Sequence, residues 1–267
     1  MAIAISRPRT LASLPRLSHT PRNMASIIQS PPPRPRKFAP LKEDSHANSG
    51  VEKQLQGIVF DVDGTLCLPQ NYMFAQMRAA LGIDRSVDIL EHIRGLPTEQ
   101  ARTEAASKIQ AVEREAMLAQ QPQPGLAQLM DYLERKNVRR ALCTRNFEAP
   151  VTHLLQNHLP KHIFEPIITR DTPDLLPKPE PAGILHIGRQ WGLGNRAESM
   201  IMVGDSIDDM TAGHTAGAAT VLLVNEHNAH LKDHQHTDLT ISRLDDLIGI
   251  LENGFVGDNS GDYDSAL

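Results

Sequence analysis

The sequence has little cysteine, few aromatic residues and no long apolar run. Its 267 residues include two cysteines, Cys67 and Cys143, which excludes a disulfide-stapled scaffold and fits a reducing, intracellular compartment. Aromatic residues make up 4% of the chain, so aliphatic side chains must build most of a core. No apolar run approaches the roughly 18 residues of a membrane span, so we expect no membrane-spanning helix.

A net basic charge is also missing. The formal net charge is −5, so no overall positive field favours nucleic acid or an anionic membrane as a partner. At 40% hydrophobic residues, the chain is long and apolar enough for one large domain, or for one domain with an insertion. Nothing in the pattern indicates an oligomeric state.

The N-terminal segment has no acidic residue before Glu43, and arginine, serine and proline are frequent in it. This composition is typical of an organellar transit peptide, although a disordered basic tail has the same features. We therefore expect residues 1–54 to form a disordered leader and linker. The leader predicts a mitochondrial location, whereas a plain tail, or translation from Met24 instead of Met1, predicts a cytoplasmic one.

Short apolar runs alternate with helical patterns between residues 55 and 252. The runs lie at 57–60, 138–143, 166–169, 200–203 and 220–224. Continuous apolar runs are typical of buried parallel strands, and the segments between them space their apolar residues by three and four, as helices do. The alternation predicts an α/β fold, a doubly wound parallel sheet formed by residues 55–66 and 122–252, with ligands bound beyond the carboxyl ends of the strands.

Residues 67–121 interrupt the alternation, because they contain no convincing strand. Ala105, Ile109, Val112 and Ala116 form one helical stripe, which predicts a small helical cap inserted after the first strand. Residues 253–267 are rich in glycine, aspartate, asparagine and serine, so we expect a disordered, solvated tail.

Polar motifs follow the predicted strands, at the ends where a parallel sheet binds its ligands. They are DVDGT at 61–65, TRN at 144–146, Lys178 between two prolines, and GDSIDD at 204–209. Taken singly, each has an ordinary structural explanation as a turn, a helix N-cap, a solvated charge or a partner of a helix dipole. Their occurrence together, at one edge of one sheet, favours a catalytic site.

The chemistry of these residue types explains the set. Clustered carboxylates repel one another and need a cation, and a site with oxygen ligands alone selects a hard ion such as Mg²⁺. The ion lets a carboxylate approach a phosphate dianion, while Lys178 and backbone N–H groups near Thr144 can hold the remaining phosphoryl oxygens. A carboxylate nucleophile forms a covalent phosphoenzyme that water then hydrolyses. The motifs therefore predict a phosphohydrolase acting on a small phosphorylated metabolite.

In these four motifs the chain resembles the haloacid dehalogenase-like (HAD) hydrolase superfamily, particularly its phosphoglycolate-phosphatase-like branch, over about residues 57–251. The resemblance implies a Rossmann-like core, Mg²⁺ as cofactor and Asp61 as nucleophile and metal ligand. It implies that Asp63 is the general acid and base, and that the backbone carbonyl of Asp63 also binds the metal. Asp205 resembles the second metal carboxylate and Asp209 its partner, a role that Asp208 could share.

The same resemblance assigns phosphate binding to the Thr144 hydroxyl and to Lys178. The complete candidate set for phosphate binding is Thr65, Thr144, Arg145, Asn146 and Lys178. Arg145 could contact the substrate, or its charge could simply be solvated at the surface. Dehalogenase members lack an acid at the position of Asp63, so its presence points to phosphoryl transfer. The insertion is short for the phosphoglycolate-phosphatase branch, which leaves the substrate open.

Three alternatives remain at this level. A phosphomutase of the β-phosphoglucomutase kind would share the nucleophile and the acid, and a phosphate- or metal-binding module would have lost catalysis. Four histidines in a polar loop could form a separate metal cluster: His227, His230, His234 and His236. A redox role for Cys67 or Cys143 is less favoured than simple burial.

Overall fold

The computed structural model describes residues 37–42 and 53–257. The strands are β1 (Lys37–Phe38), β2 (Gly57–Phe60), β3 (Arg139–Cys143), β4 (Ile167–Ile168), β5 (Met200–Gly204), β6 (Ala219–Leu223), β7 (Leu239–Ile241) and β8 (Phe255–Val256). Six of them form one sheet in the order β4-β3-β2-β5-β6-β7, and every neighbouring pair in it is parallel. The predicted doubly wound α/β fold is confirmed.

Helices cover both faces of this sheet. They are α1 (Tyr72–Leu81), α2 (Ile89–Arg94), α3 (Glu99–Leu118), α4 (Leu126–Arg135), α5 (Glu148–His158), α6 (Ala182–Gln190), α7 (Ile207–Ala216) and α8 (Asp246–Asn253). Successive side chains of a strand point to opposite faces, so Ile58 and Phe60 pack in the cluster with α4, α5 and α8, whereas Val59 packs with α6 and α7. Both faces of the sheet are therefore buried, which explains the continuous apolar runs.

The carboxyl ends of three central strands carry the predicted motifs. Asp61 follows β2, and its backbone N–H donates to the Val203 carbonyl oxygen at 3.0 Å. Thr144 follows β3, and its N–H donates to the Ile168 carbonyl oxygen at 2.9 Å. Asp205 follows β5, which lies directly beside β2. The parallel register thus brings these residues to one edge of the sheet.

Helices α1, α2 and α3 pack on one another around a small hydrophobic cluster that includes Met73, Met77 and Ile109. Two backbone segments connect these helices to the sheet, and they lie side by side, joined by hydrogen bonds. Leu68 N–H donates to the Gln121 carbonyl oxygen at 2.8 Å, and Gln123 N–H donates to the Leu66 carbonyl oxygen at 2.9 Å. In the described part of the chain, no helix combines the length and the apolar character needed to cross a membrane.

The structure corrects the expectation that the folded part begins near residue 55 and ends at 252. Strands β1 and β8 pair with each other in antiparallel fashion, and the Phe38 and Phe255 rings lie 5.6 Å apart, both buried. Pairing between segments more than 200 residues apart leaves no local periodicity to detect. Of the predicted leader and tail, residues 1–36, 43–52 and 258–267 lie outside the described residues.

One strand of the sheet was not predicted, the bounds of β2 are as predicted, and those of the other four differ by one residue at one or both ends. Strand β7 is three residues long, and one of them is the exposed Thr240, so it lacks the apolar run of the central strands. It lies at the sheet edge, where one side of the ladder has no partner. The shorter edge strands are therefore the elements that sequence pattern describes least well.

Candidate active site

A cavity of about 430 Å³ lies at the carboxyl edge of the sheet, and its walls come from both the sheet edge and helices α1 to α3. The predicted residues that line it are Asp61, Asp63, Thr144, Arg145, Asn146, Lys178, Asp205, Asp208 and Asp209. Thr65 is different: it is fully buried, and its Oγ1 has no hydrogen-bond partner among the described residues. The structure therefore brings together every predicted site residue except Thr65.

Lys178 links two carboxylates at the bottom of the cavity. Its side chain is buried, and Nζ donates to Asp61 Oδ1 at 2.6 Å and also to Asp209 Oδ1. Asp209 is itself fixed by the start of α7, because its Oδ2 accepts from the Ser206 N–H at 3.0 Å and from the Ser206 hydroxyl at 2.6 Å. This capping box holds Asp209, and through it Lys178, in place against Asp61.

Asp63 lies in the same cavity and is held by Asn146. The Asn146 Nδ2 group donates to Asp63 Oδ2 at 2.6 Å, and the Cys67 thiol approaches Oδ1 at 3.5 Å. Burial raises the pKa of Asp63 above its usual range in spite of these two hydrogen bonds. The carboxyl group can therefore keep a proton at a pH where an exposed aspartate has lost it. Asn146, predicted to bind phosphate, lines the cavity and donates this hydrogen bond to Asp63.

Asp205 is placed by backbone approach and by two asparagines. Gly64 has φ +79° and passes so close that a Cβ there would lie 2.1 Å from Asp205 Oδ2, so only glycine fits. Asn225 Nδ2 donates to that oxygen at 3.1 Å, and Asn228 Nδ2 donates to the Asp205 backbone carbonyl at 2.7 Å. Burial, with repulsion from Asp209, raises the pKa of Asp205 to about 8. The loop after β6, which carries both asparagines, is therefore part of the site.

The carboxylates fit a divalent cation. Asp61, Asp205 and Asp209 each offer an oxygen, and these oxygens lie within 4.8 Å of one another. Burial raises the pKa of Asp61 to about 7, with Lys178 opposing and Asp209 adding to the shift. Buried carboxylates with raised pKa values gain from a bound cation, and a donor set of oxygens alone favours Mg²⁺. Asp208 is outside this group of three and forms an ion pair with Arg145.

The histidine alternative receives no support from the arrangement of the side chains. His214 stacks on His236 at 4.3 Å between ring centroids, and His234 meets the edge of His236 at 4.9 Å. Within the described residues, the groups that could share one ion include none of these rings. His227 and His230 line the cavity instead.

The raised carboxyl pKa values predict how stability depends on pH. The pKa values of Asp61 and Asp205 in the folded protein lie above the ordinary value of an aspartate, so the folded protein binds protons more tightly than the unfolded chain. The resulting stabilisation is complete below about pH 4 and is lost as the pH rises through about 7 to 8. Mg²⁺ replaces these protons, so it should raise the Tm more at about pH 8 than at about pH 6.

Thermal unfolding of the protein at both pH values, with Mg²⁺ and with chelator, measures this difference. Asp205→Asn should reduce the pH-dependent part of the Mg²⁺ effect, because it removes one of the two titrating carboxyls and leaves Asp61. Asp233→Asn makes the same change at an exposed position outside the cavity and should leave the effect intact. Equal Mg²⁺ shifts at the two pH values would contradict the prediction.

Two ion pairs join helices α1 to α3 to the sheet edge across the cavity. Arg145 Nη2 donates to Asp88 Oδ2 at 2.6 Å, while the other oxygen of Asp88 caps α2. Arg170 forms a two-pronged pair with Glu113 of α3, at 2.8 and 2.7 Å. Glu113 is 3% exposed, so this pair is desolvated and its geometry is well defined. Both arginines therefore already have carboxylate partners.

Sequence reasoning missed five residues of the site. They are Asp88, Glu113, Arg170, Asn225 and Asn228. For Glu113 a signal existed, since it lies on the apolar stripe of α3, four residues after Ile109 and three before Ala116. A charged residue on a buried stripe implies a partner in another element. Asn225 directly follows the predicted strand 220–224, as Asp61 follows 57–60, and Asn228 lies three residues further on.

Comparison with known proteins agrees with this geometry. Residues 55–217 match the haloacid dehalogenase-like hydrolase family. The chain is 44% identical over 206 residues to an uncharacterised hydrolase of Saccharomyces cerevisiae, covering 75% of this chain and 93% of the yeast protein. It is 34% identical over 107 residues to phosphoglycolate phosphatase 1 of Pseudomonas aeruginosa, covering 39% of this chain and 38% of that protein.

A solved structure has the same fold. The crystal structure of a variant of CbbY from Rhodobacter sphaeroides, in complex with xylulose-1,5-bisphosphate, superposes with a TM-score of 0.58. The identity is 20%, and the superposition covers 73% of this chain and 96% of that chain. At this identity the likeness concerns the fold alone.

Proposed function

Because the chain belongs to the haloacid dehalogenase-like hydrolase family, and is therefore a hydrolase, we propose that it is a Mg²⁺-dependent phosphatase of a small phosphate monoester. The reaction passes through an aspartyl-phosphate on Asp61. The observation that carries the proposal is the contact of 2.6 Å between Lys178 Nζ and Asp61 Oδ1, beside a second carboxyl, Asp63, whose pKa burial raises. A cation, a nucleophile and an acid are thus in one cavity.

In the first half of the reaction, a carboxylate oxygen of Asp61 attacks the phosphorus, and the bond between phosphorus and the leaving oxygen breaks. The Asp63 carboxyl gives its proton to that oxygen, so the product is a neutral alcohol. In the second half, ionised Asp63 takes a proton from the attacking water, phosphate leaves, and Asp61 returns to its carboxylate form. Asn146 keeps Asp63 oriented through both steps.

Other residues hold the phosphoryl group and the ion. Lys178 and the Thr144 hydroxyl bind phosphoryl oxygens, and Asp209 holds Lys178 in position. Asp61, Asp205 and the Asp63 carbonyl would hold Mg²⁺, with Asp209 within reach of the same ion. When bound, Mg²⁺ neutralises charge on the transferring phosphoryl group.

Residues 67–121 are the part of the chain that we assign to substrate choice. The contacts to the phosphoryl group are the same for any phosphate monoester, so discrimination must come from groups that reach the leaving alcohol. Helices α1 to α3 supply such groups, because Phe74, Ile89 and Leu90 line the cavity opposite Asp61. This segment therefore acts as a cap over the sheet edge.

Phosphate release from a panel of phosphorylated metabolites tests the proposal with the full chain. We expect release with Mg²⁺ and none with a chelator, and Ca²⁺ should inhibit because it takes more oxygen ligands at longer distances. Release without any bisphosphate activator supports a hydrolase over a phosphomutase on the same fold. Full activity in chelator would contradict the roles of Asp61 and Asp205.

A further inference from the structure

The positively charged side chains of the cavity differ in whether a carboxylate forms an ion pair with them. The lysine and arginine side chains that line it are Arg78, Arg145, Arg170 and Lys178. Lys178 contacts Asp61 and Asp209, Arg145 contacts Asp88 and Asp208, and Arg170 contacts Glu113. Arg78 is the exception, since it forms no ion pair with any residue in the described ranges.

Arg78 lies on α1, and the surroundings of its guanidinium are incomplete. Its Nε is buried without a hydrogen-bond partner among the described residues, and Nη1 donates to the Phe74 carbonyl oxygen at the long distance of 3.4 Å. Exposed Asp84 has its pKa lowered mainly by hydrogen bonds from Ser86, with Arg78 the smallest cause. A partly desolvated guanidinium that faces a cavity without a carboxylate partner is suited to bind an anion.

From this arrangement we propose that Arg78 binds a second anionic group of the substrate. The substrate is then a phosphate monoester whose alcohol carries a carboxylate or a second phosphate. The inference rests on the proposed phosphatase function and specifies its substrate class. A guanidinium matches both anions, because its N–H groups can pair with two oxygens at once.

The remaining charges of the cavity make Arg78 the place where such an anion can lie. The carboxylates of the lining are Asp61, Asp63, Asp88, Glu113, Asp205, Asp208 and Asp209. They repel a second anion throughout the cavity unless a free cation is nearby. Arg170 is not free, because an anion bound to it would displace Glu113 and leave a buried carboxylate unpaired. Arg145 is held by two carboxylates in the same way.

A purely structural explanation of Arg78 also exists. It lies in the last turn of α1, where a positive charge interacts favourably with the helix dipole. That role would affect the stability of the helix and would not affect the choice between substrates. The test therefore compares substrates and uses a second cap arginine as control.

Turnover of three substrates of matched length is the first measurement: 3-phosphooxypropanoate, propane-1,3-diol bisphosphate and propyl phosphate. We expect the wild type to prefer one or both anionic compounds over propyl phosphate in kcat/KM. Arg78→Gln should reduce this preference about 10- to 100-fold, as expected for one lost charge-assisted hydrogen bond. The compound whose preference falls identifies the anion as a carboxylate or a phosphate. Arg85→Gln removes the same charge from an exposed cap position and should keep the preference.

Calorimetric binding separates this inference from the proposed function. The full chain with Mg²⁺ should bind 3-carboxypropylphosphonate or propane-1,3-bisphosphonate about tenfold more tightly than butylphosphonate, and Arg78→Gln should abolish that difference. If the protein releases no phosphate but the difference holds, the proposed function fails, while the binding of a second anionic group by Arg78 stands. If phosphate is released but Arg78→Gln alters preference and affinity no more than Arg85→Gln, the inference is overturned. A wild type without any preference overturns it as well.

Discussion

Replacing Asp61 with asparagine is expected to lower kcat by more than about a thousandfold, because an amide of the same shape cannot act as the nucleophile. The fold should persist: Asp61 follows β2 directly, its backbone bond to Val203 does not involve the side chain, and Lys178 keeps Asp209 as a partner. Turnover of a small activated aryl phosphate measures the loss, and the Tm and circular dichroism of the variant establish that it is folded.

The matched control is Asp131→Asn, which makes the same chemical change on the exposed face of α4 and should leave kcat unchanged. The phosphoenzyme should be detectable by mass spectrometry in the acid-quenched wild type and in the control, but not in Asp61→Asn. A residual kcat above about one-thousandth of the wild type would contradict the covalent mechanism, since binding and electrostatics alone can supply rates below that level.

The position of the site could be predicted because it follows from strand direction. Once 57–60 and 200–203 are identified as neighbouring parallel strands, Asp61 and Asp205 must lie at the same edge, whatever the rest of the chain does. The chemistry of the residue types then indicates a cation and a phosphate. These inferences need only the local sequence pattern and one general rule of sheet topology, so a single sequence is enough to make them.

The partners of individual side chains could not be predicted in the same way. Arg145 contacts Asp88 and Asp208, which are 57 and 63 residues away along the chain. Glu113 and Arg170 are also 57 residues apart, and their contact depends on how α3 lies over the sheet edge. Strand order does not determine that placement, because helices α1 to α3 contribute no strand to the sheet.

Thr65 and Asn146 show how turns limit prediction within a motif. The N–H groups of Thr65, Leu66 and Cys67 all donate to the Val62 carbonyl oxygen, at 3.2, 2.8 and 3.1 Å. This tight turn ends the period-two alternation of β2, so Thr65 points into the protein and not into the cavity. Asn146 lies two residues beyond β3 and likewise reaches Asp63 through the geometry of its turn.

Replacing Lys178 with methionine should cause a large loss of stability in the metal-free protein. Lys178 is 4% exposed, and its removal leaves the buried carboxylates of Asp61 and Asp209 without a cation. Breaking a buried ion pair on one side costs about 3–5 kcal/mol of the free energy of unfolding. Methionine retains most of the aliphatic stem, so the packing changes little. Urea unfolding in chelator measures the effect.

Lys108→Met on exposed α3 is the matched control and should have little effect. Adding Asp209→Asn to Lys178→Met should recover part of the loss, because the second change removes one of the unpaired charges and an asparagine can still accept the bonds from Ser206. Mg²⁺ should also reduce the loss, since an ion held by Asp61 and Asp205 neutralises the same cluster.

The dependence of this loss on pH distinguishes the charge of Lys178 from its packing. At about pH 5 the buried carboxyl of Asp61 can bind a proton in place of its lysine partner, because burial raises the pKa of Asp61 to about 7. The stability lost in Lys178→Met should therefore be smaller at about pH 5 than at about pH 8, with Lys108→Met unaffected at either. An equal loss at both pH values would mean that the lysine stem stabilises the core by packing, and that its ammonium group does not hold Asp61 and Asp209 together.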